Sequence, residues 1–158
     1  MPAPHPLPSS QPHPQATGAD LVLRARLVLG EHETVDVPVR LGYRSDDPLA
    51  VALEFLGPAA EAGTWRFSRD LLWEGLQKPA GLGDVRIWPP CTCHGRTSLR
   101  IMLQGRDGTV LLDLPPRQVR RWLRRESFAL VPQGSEAAWI DWDTALEGLA
   151  GRRPGATG

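Results

Sequence analysis

Apolar and polar positions alternate through the first part of the chain. In residues 21–29, LVLRARLVL, Leu21, Leu23, Ala25, Leu27 and Leu29 fall on one face and Arg24 and Arg26 on the other. That is the period of two expected of a strand with one buried face. Gly30-Glu31-His32-Glu33 reads as a turn. Alternation resumes over residues 35–43, with Val35, Val37, Val39 and Leu41 on one side. Pro38 lies inside this second strand and has no N–H for a ladder, so an edge position or a bulge is expected. Ser45-Asp46-Asp47-Pro48 is turn chemistry, and residues 49–55 give a third strand.

Trp65-Arg66-Phe67 alternates once more, and then the period changes. Ser68 is a helix N-cap candidate, with Asp70 in the first turn, where backbone N–H dipoles favour negative charge. Leu71, Leu72 and Leu76 share one side of this helix, with Trp73 at its flank. Gly75 weakens it by roughly 1 kcal/mol relative to alanine. Pro79, Gly81 and Gly83 close the segment. Val85-Arg86-Ile87-Trp88 starts a new strand that Pro89-Pro90 stops. Residues 97–104 and 109–114 read as a hairpin turned by Gly105-Arg106-Asp107-Gly108. Pro115 and Pro116 open a helix over 117–127, since proline suits the first helical turn. Residues 131–134 read as a loop and 139–142 as a short extended piece. Asp143 is placed to cap a last helix through Leu149. Successive strands with few helices predict an α+β fold with mostly antiparallel sheets.

The central block also carries a resemblance. FSRDLLWEGL followed by GLGDVRIWP is similar to the signature of the SsgA-like proteins, the sporulation and cell-division regulators of sporulating actinobacteria. Trp65, Phe67, Arg69, Asp70, Leu71, Leu72, Glu74, Gly75 and Leu76 match its first block. Gly81, Gly83, Asp84, Val85, Arg86, Trp88 and Pro89 match its second. Upstream, Leu41, Tyr43, Asp47, Pro48, Ala50 and Val51 resemble the family, with Leu49 in place of its usual aromatic. The resemblance implies a barrel-like, Whirly-type core with two or three short helices outside, association as homotrimers and no enzymatic activity.

Composition narrows the picture further. The chain has 158 residues, with 18 basic and 18 acidic side chains that cancel. One domain with an ordinary core is expected, and no overall electrostatic pull toward nucleic acid or anionic membrane. No apolar run approaches the roughly 18 residues that span a bilayer, and no basic-then-apolar leader is present. A cytoplasmic protein is the expectation. Residues 1–18 are rich in proline, histidine, serine and glutamine and are read as a disordered tail. Residues 19–150 are read as the SsgA-like domain, and 151–158 are expected to be a flexible C-terminal tail. His5 and His13, in the first tail, fall short of the three or four convergent ligands that a metal site needs.

Cys91-Thr92-Cys93-His94 is the most suggestive chemical cluster. Zinc wants two cysteines spaced by two to four residues and a fourth ligand, and no second cluster exists. The family segment usually carries no cysteines there. A variable loop with oxidisable Cys91 and Cys93 is the expected reading, with no metal and no cofactor. A Cys93–His94 nucleophile pair is disfavoured, because adjacent side chains rarely face each other. Arg69, Asp70, Glu74, Asp84 and Arg86 show no catalytic spacing. Asp70 and Glu74 are neighbours on one helix face and repel, which Arg69 and Arg86 are placed to relieve. An ion-pair network or docking surface is expected there. The chain lacks the phosphate-cradling glycine motifs and the nucleophile elbow.

The helix over 117–127 places Val119, Trp122 and Leu123 on one side, while Arg117, Arg120, Arg121, Arg124 and Arg125 fill an arc of roughly 140° opposite. Such a stripe is a solvated face, a dock for an acidic partner, or a phosphate-binding surface. Single-stranded nucleic acid needs exposed aromatics among the basic residues, and Trp122 points to the apolar side. Six tryptophans are many for this length and fit core or subunit-interface anchors, with Trp73 the interface candidate. By resemblance, the protein regulates sporulation-specific septation by contacts with the tubulin-like division GTPase FtsZ or other SsgA-like proteins, recruited to the septum. Arg69, Asp70, Trp73, Glu74, Arg117, Arg120, Arg121 and Arg124 are the candidate docking residues. The alternative is a single-stranded nucleic-acid module using the arginines of 117–125.

Overall fold

A computed structural model of the chain describes residues 17–150. The tails expected over 1–18 and 151–158, with His5 and His13, lie outside these residues except for Thr17 and Gly18. Gly18 already belongs to the first strand, and the Thr17 N–H donates to the Ser45 hydroxyl oxygen at 3.0 Å.

Among the described residues seven strands form one sheet: β1 (Gly18–Val28), β2 (Thr34–Arg44), β3 (Asp47–Phe55), β4 (Thr64–Ser68), β5 (Val85–Trp88), β6 (Leu99–Gly105) and β7 (Gly108–Leu114). The spatial order is β4-β3-β2-β1-β7-β6-β5, every pair antiparallel. The sheet is therefore a four-strand meander joined to a three-strand one. The join is short: β1 meets β7 only at Arg26–Asp113 and Leu27–Leu112. The sheet curls until its ends approach. A Cβ on Gly105, at the tip of the β6–β7 hairpin, would stand 3.1 Å from the Trp65 ring on the outer strand β4. The result is a nearly closed barrel, as the family resemblance implied, and antiparallel throughout, as the alternation predicted. Leu41, Leu53, Ile101, Leu103 and Leu112 fill its interior, all at zero exposure. Alternation along each strand sends these side chains inward and Arg24, Arg26 and Arg66 outward.

Helix α1 (Arg69–Gly75) carries the chain across the gap between β4 and β5. Ser68 caps it as expected, its hydroxyl oxygen accepting from the Leu71 N–H at 3.2 Å. Leu72 and Leu76 are buried in the core, and Leu71 and Trp73 are half-buried. Gly75 has a packing reason for its low helix propensity. A Cβ there would lie 2.3 Å from Cγ2 of Ile87, so only glycine lets α1 sit down on β5. Gly81, at φ +98, turns the chain back toward β5 so closely that a Cβ would meet the Val85 carbonyl at 2.3 Å.

Four expectations need correction. Pro38 is neither on an edge strand nor at a bulge. It pairs with Arg24 in the interior strand β2, but the β3 ladder begins one residue later, at Val39–Phe55. Its carbonyl accepts from the Leu56 N–H at 3.0 Å, so its missing N–H points past the end of β3. The β2–β3 irregularity falls at Tyr43/Arg44 instead. The helix expected over 117–127 is longer and interrupted: α2 (Pro116–Trp122) passes through a π turn (Leu123–Ser127) into α3 (Phe128–Leu130). Residues 139–142 form no extended piece; of them Ile140 has an extended backbone, between a turn and a helix. A 3-10 turn (Glu136–Trp139) leads into α4 (Trp142–Ala150). The cap is Asp141 rather than Asp143, accepting from the Thr144 N–H at 3.2 Å and the Thr144 hydroxyl at 2.8 Å.

Candidate functional site

Arg69 is the first residue of α1, and it points inward. Its position follows from helical spacing, since Arg69, Leu72 and Leu76 are three and seven residues apart on one face. The side chain is 1 % exposed. One guanidinium nitrogen donates to the carbonyls of Ser127 and Val131 and to the Ser127 hydroxyl, at 3.2, 2.8 and 3.2 Å. The other donates to Glu136 Oε1 at 2.7 Å. The rings of Tyr43 and Phe128 cover the group, with centroids 4.5 and 4.8 Å away. A charge so enclosed requires a partner. The π turn, Val131 and the 3-10 turn supply acceptors for both terminal nitrogens, while the buried Nε has no hydrogen-bond partner among the described residues.

The same knot shifts its neighbours. Burial by itself raises the Glu136 carboxyl. The hydrogen bond from Arg69, helped by backbone N–H groups and the guanidinium charge, outweighs it and holds that carboxyl below its ordinary value. Burial pushes the Tyr43 hydroxyl up to about 12, with Arg69 opposing and Glu136 adding. That hydroxyl donates to the Pro48 carbonyl at 2.9 Å. Arg69 is thus spent inside the fold. It presents almost no surface to a partner, and it does not relieve the repulsion between Asp70 and Glu74. Among the described residues no ion pair involves either of those carboxylates.

Asp70 and Glu74 are exposed on the outer side of α1. Trp73 between them lies edge-on to Phe128, centroids 5.3 Å apart. The Arg124 guanidinium covers the Trp73 ring at 5.5 Å. Arg120, one turn earlier, donates to the Leu76 carbonyl at the end of α1, at 3.2 Å. Three expected residues outside the knot, Trp73, Arg120 and Arg124, are therefore brought together where α1 meets α2 and the π turn. Arg117 and Arg121 are exposed along α2, without a hydrogen bond or ion pair among the described residues. Trp122, at 1 % exposure, belongs to the core. The arginine stripe therefore carries no freely exposed aromatic of its own, as stacking on bases would need.

Two features lie away from this surface. Trp139, Trp142, Leu146 and Leu149 are exposed, and the last three recur at helical spacing along α4. In the loop between β5 and β6, the imidazole Nδ1 of His94 lies 3.1 Å from Cys91 Sγ. The disfavoured pair was Cys93–His94; the 3-10 turn (Thr92–His94) instead places His94 back over Cys91. Among the described residues no group of three or more histidine, cysteine or acidic side chains is placed to hold a metal. No helix among them is long and apolar enough to cross a membrane. A groove of about 760 Å³ opens where β1 and β7 part, lined by Arg24, Arg26, Pro38, Asp113 and Gln118. It contains none of the expected site residues.

Comparison with known proteins places these features. The family described as "Streptomyces sporulation and cell division protein, SsgA" matches residues 37–136. That span includes both signature blocks, the arginine helix and Glu136. The chain is 41 % identical over 124 residues to the sporulation-specific cell division protein SsgB of Streptomyces coelicolor, covering 78 % of this chain and 89 % of that one. It is 39 % identical over 139 residues to SsgB of Salinispora tropica, covering 86 % and 96 %. A solved structure described with mutations in SsgB that correlate to longitudinal cell division during sporulation of Streptomyces coelicolor superposes with a TM-score of 0.71. It is 40 % identical and covers 78 % of this chain and 96 % of that one. The SsgA-like sporulation-specific cell division protein of Thermobifida fusca also gives 0.71, at 30 % identity, covering 85 % and 96 %.

Proposed function

Since the chain belongs to the SsgA family of sporulation and cell division proteins, we propose that it serves sporulation-specific cell division as a non-enzymatic docking protein. The role in sporulation division is the one its relatives are named for, and it does not favour the nucleic-acid alternative. The observation that carries the docking reading is the joint between α1 and α2. Arg124 lies over Trp73 and Arg120 is latched to the carbonyl of Leu76. Acidic Asp70 and Glu74 border this pair. Aromatic and arginine side chains held in place are what protein interfaces use as anchors, and preorganisation lowers the entropy lost on binding.

The partner in this reading is the division machinery, FtsZ or another SsgA-like protein. The protein works in the cytoplasm at the future septum. A homotrimer presents three copies of the docking face, and avidity converts a weak contact into stable recruitment. The exposed apolar row Trp142, Leu146 and Leu149 supports self-association, because a second copy would cover area that water disfavours.

The test is live imaging of a fluorescent fusion beside labelled FtsZ in sporulating hyphae. The reading expects ladders at future septa for the native protein and a diffuse signal for the Arg120→Glu/Arg124→Glu variant at equal abundance. Ladders unchanged in that variant would remove this face from the mechanism. Nucleoid-associated signal would remove septal docking itself.

A further inference from the structure

We propose that Cys91, Cys93 and His94 form a peroxide-reactive dithiol site, in which His94 activates the Cys91 thiol and Cys93 resolves its oxidised form. The site is built by the loop between β5 and β6. The Cys91 backbone is tied to Arg96 by two hydrogen bonds, its N–H donating at 2.8 Å and its carbonyl accepting at 2.9 Å. Arg96 in turn donates to the Pro89 carbonyl at 2.8 Å. Between these anchors the turn Thr92–His94 ends on Gly95, which takes the left-handed conformation at φ 64. That geometry folds the imidazole back to 3.1 Å from Cys91 Sγ. Cys91 is partly exposed and Cys93 exposed, and neither is in a disulfide.

In the tautomer that carries its proton on Nδ1, the His94 ring donates to sulfur and stabilises the thiolate, which is the nucleophilic form. The Cys91 thiol is lowered to about 7, first by the hydrogen bond from the His94 ring, with further help from the His94 and Cys93 N–H groups and the Cys93 thiol. At about pH 7 roughly half of such a thiol is ionised, against a few per cent for a free cysteine. Intrinsic nucleophilicity falls as the thiol becomes more acidic, which cancels part of that gain and leaves about five-fold.

The chemistry balances with a hydroperoxide as oxidant. The Cys91 thiolate attacks the terminal peroxide oxygen; an S–O bond forms and the O–O bond breaks. Sulfur is oxidised by two electrons to the sulfenic acid, and the leaving oxygen takes a proton and departs as water or an alcohol. The Cys93 sulfur then attacks Cys91, displacing water and closing a disulfide. A bridge between residues so close in sequence and so accessible is readily reduced, so the modification is reversible.

The test uses the full-length protein and hydrogen peroxide, with peptide mass spectrometry as readout. Iodoacetamide at about pH 7 is expected to label Cys91 about five-fold faster than Cys93. The Cys91 rate should rise with a midpoint near neutrality. His94→Gln should remove the difference without changing the circular dichroism. After peroxide, the native chain should contain an intramolecular Cys91–Cys93 disulfide, and Cys93→Ser should instead accumulate a dimedone adduct on Cys91. Equal labelling of both cysteines, indifferent to His94→Gln, would overturn the activation. A disulfide between chains, or no adduct in Cys93→Ser, would overturn the resolving role.

Discussion

Arginine is used in two opposite ways on either side of Trp73. Arg69 runs inward from the start of α1, is enclosed by Tyr43 and Phe128, and gives its donors to Ser127, Val131 and Glu136. Arg117, Arg120, Arg121 and Arg124 stand outside on α2 and the π turn, and of these Arg120 and Arg124 touch α1 only lightly. The inner arginine ties together segments far apart in sequence. The outer ones leave most of their charge facing solvent. The difference teaches where charge supports the fold and where it is free for a partner. Arg69 contributes where water cannot compensate for its loss, whereas the outer row contributes only where another molecule arrives.

The sharpest way to break this contrast is to remove the inner charge. Arg69→Ala leaves Glu136 buried without its partner, and breaking one side of a buried pair costs about 3–5 kcal/mol. Calorimetry should show Tm lower by roughly 10 °C. Arg69→Met with Glu136→Leu should recover much of that loss, because no charge is then stranded. A single variant within about 1 kcal/mol of native would show that the knot is incidental.

Next in size is the carboxylate alone. Glu136 is held below its ordinary value in the folded protein. Its contribution is therefore fully present above the unfolded carboxylate range, about 4.3, and is lost as pH falls through the lower folded value. The native chain should exceed Glu136→Gln by about 1.5–3 kcal/mol near neutrality. Denaturant titrations should show the two converging only below about pH 4. A constant gap down to that pH would mean that the charge of Glu136 is not what Arg69 requires.

Gly75→Ala comes third and tests whether α1 links the two regions rigidly. The added methyl has no space above Ile87. Overpacking costs roughly 1–3 kcal/mol, offset by about 1 kcal/mol of helix propensity. A net loss with weaker septal recruitment is expected, since shifting α1 moves Trp73 away from Arg124. Stabilisation instead would mean that β5 yields easily.

How much of this was legible in the sequence depends on range. The alternation of β1, β2 and β3, the Ser68 cap and the β6–β7 hairpin are local signals and hold in outline, but Leu29 and Val35 are exposed at the strand ends and Asp47-Pro48, read as turn, open β3. The inward course of Arg69 was also legible in principle, because it shares a helical face with Leu72 and Leu76. Its partner was not: Glu136 is 67 positions away, and nothing near it marks a buried acid. The same limit explains Pro38. The rule about proline and ladders holds, but only the three-dimensional end of β3 shows how an interior strand satisfies it. Residues 139–142 misled for a local reason. Asp141 and Asp143 are both cap candidates by residue type, and the bonds from Thr144 to Asp141 are what start α4 one residue after it. At Cys91 the adjacency of Cys93 and His94 drew attention, although residues three apart are the ones that meet over a tight turn.

The smallest effect on stability is expected where the functional effect is largest. Arg120→Ala removes one hydrogen bond to an accessible carbonyl, and Arg124→Ala removes one contact over Trp73. Each should cost about 1 kcal/mol or less. Arg117→Ala and Arg121→Ala, whose side chains make no hydrogen bond or ion pair among the described residues, should stay within about 0.5 kcal/mol. Recruitment should divide them differently. If partner capture depends only on positive charge, reversing Arg117 and Arg121 should weaken it as much as reversing Arg120 and Arg124, and added salt should weaken both alike. If capture depends on the surface shaped by Trp73, the Arg120/Arg124 pair should matter far more, and Trp73→Ala should reproduce its loss. Septal intensity of the three variants, compared at equal abundance, separates the cases. Equal losses from both arginine pairs, with Trp73→Ala unchanged, would reduce the docking face to a diffuse basic stripe.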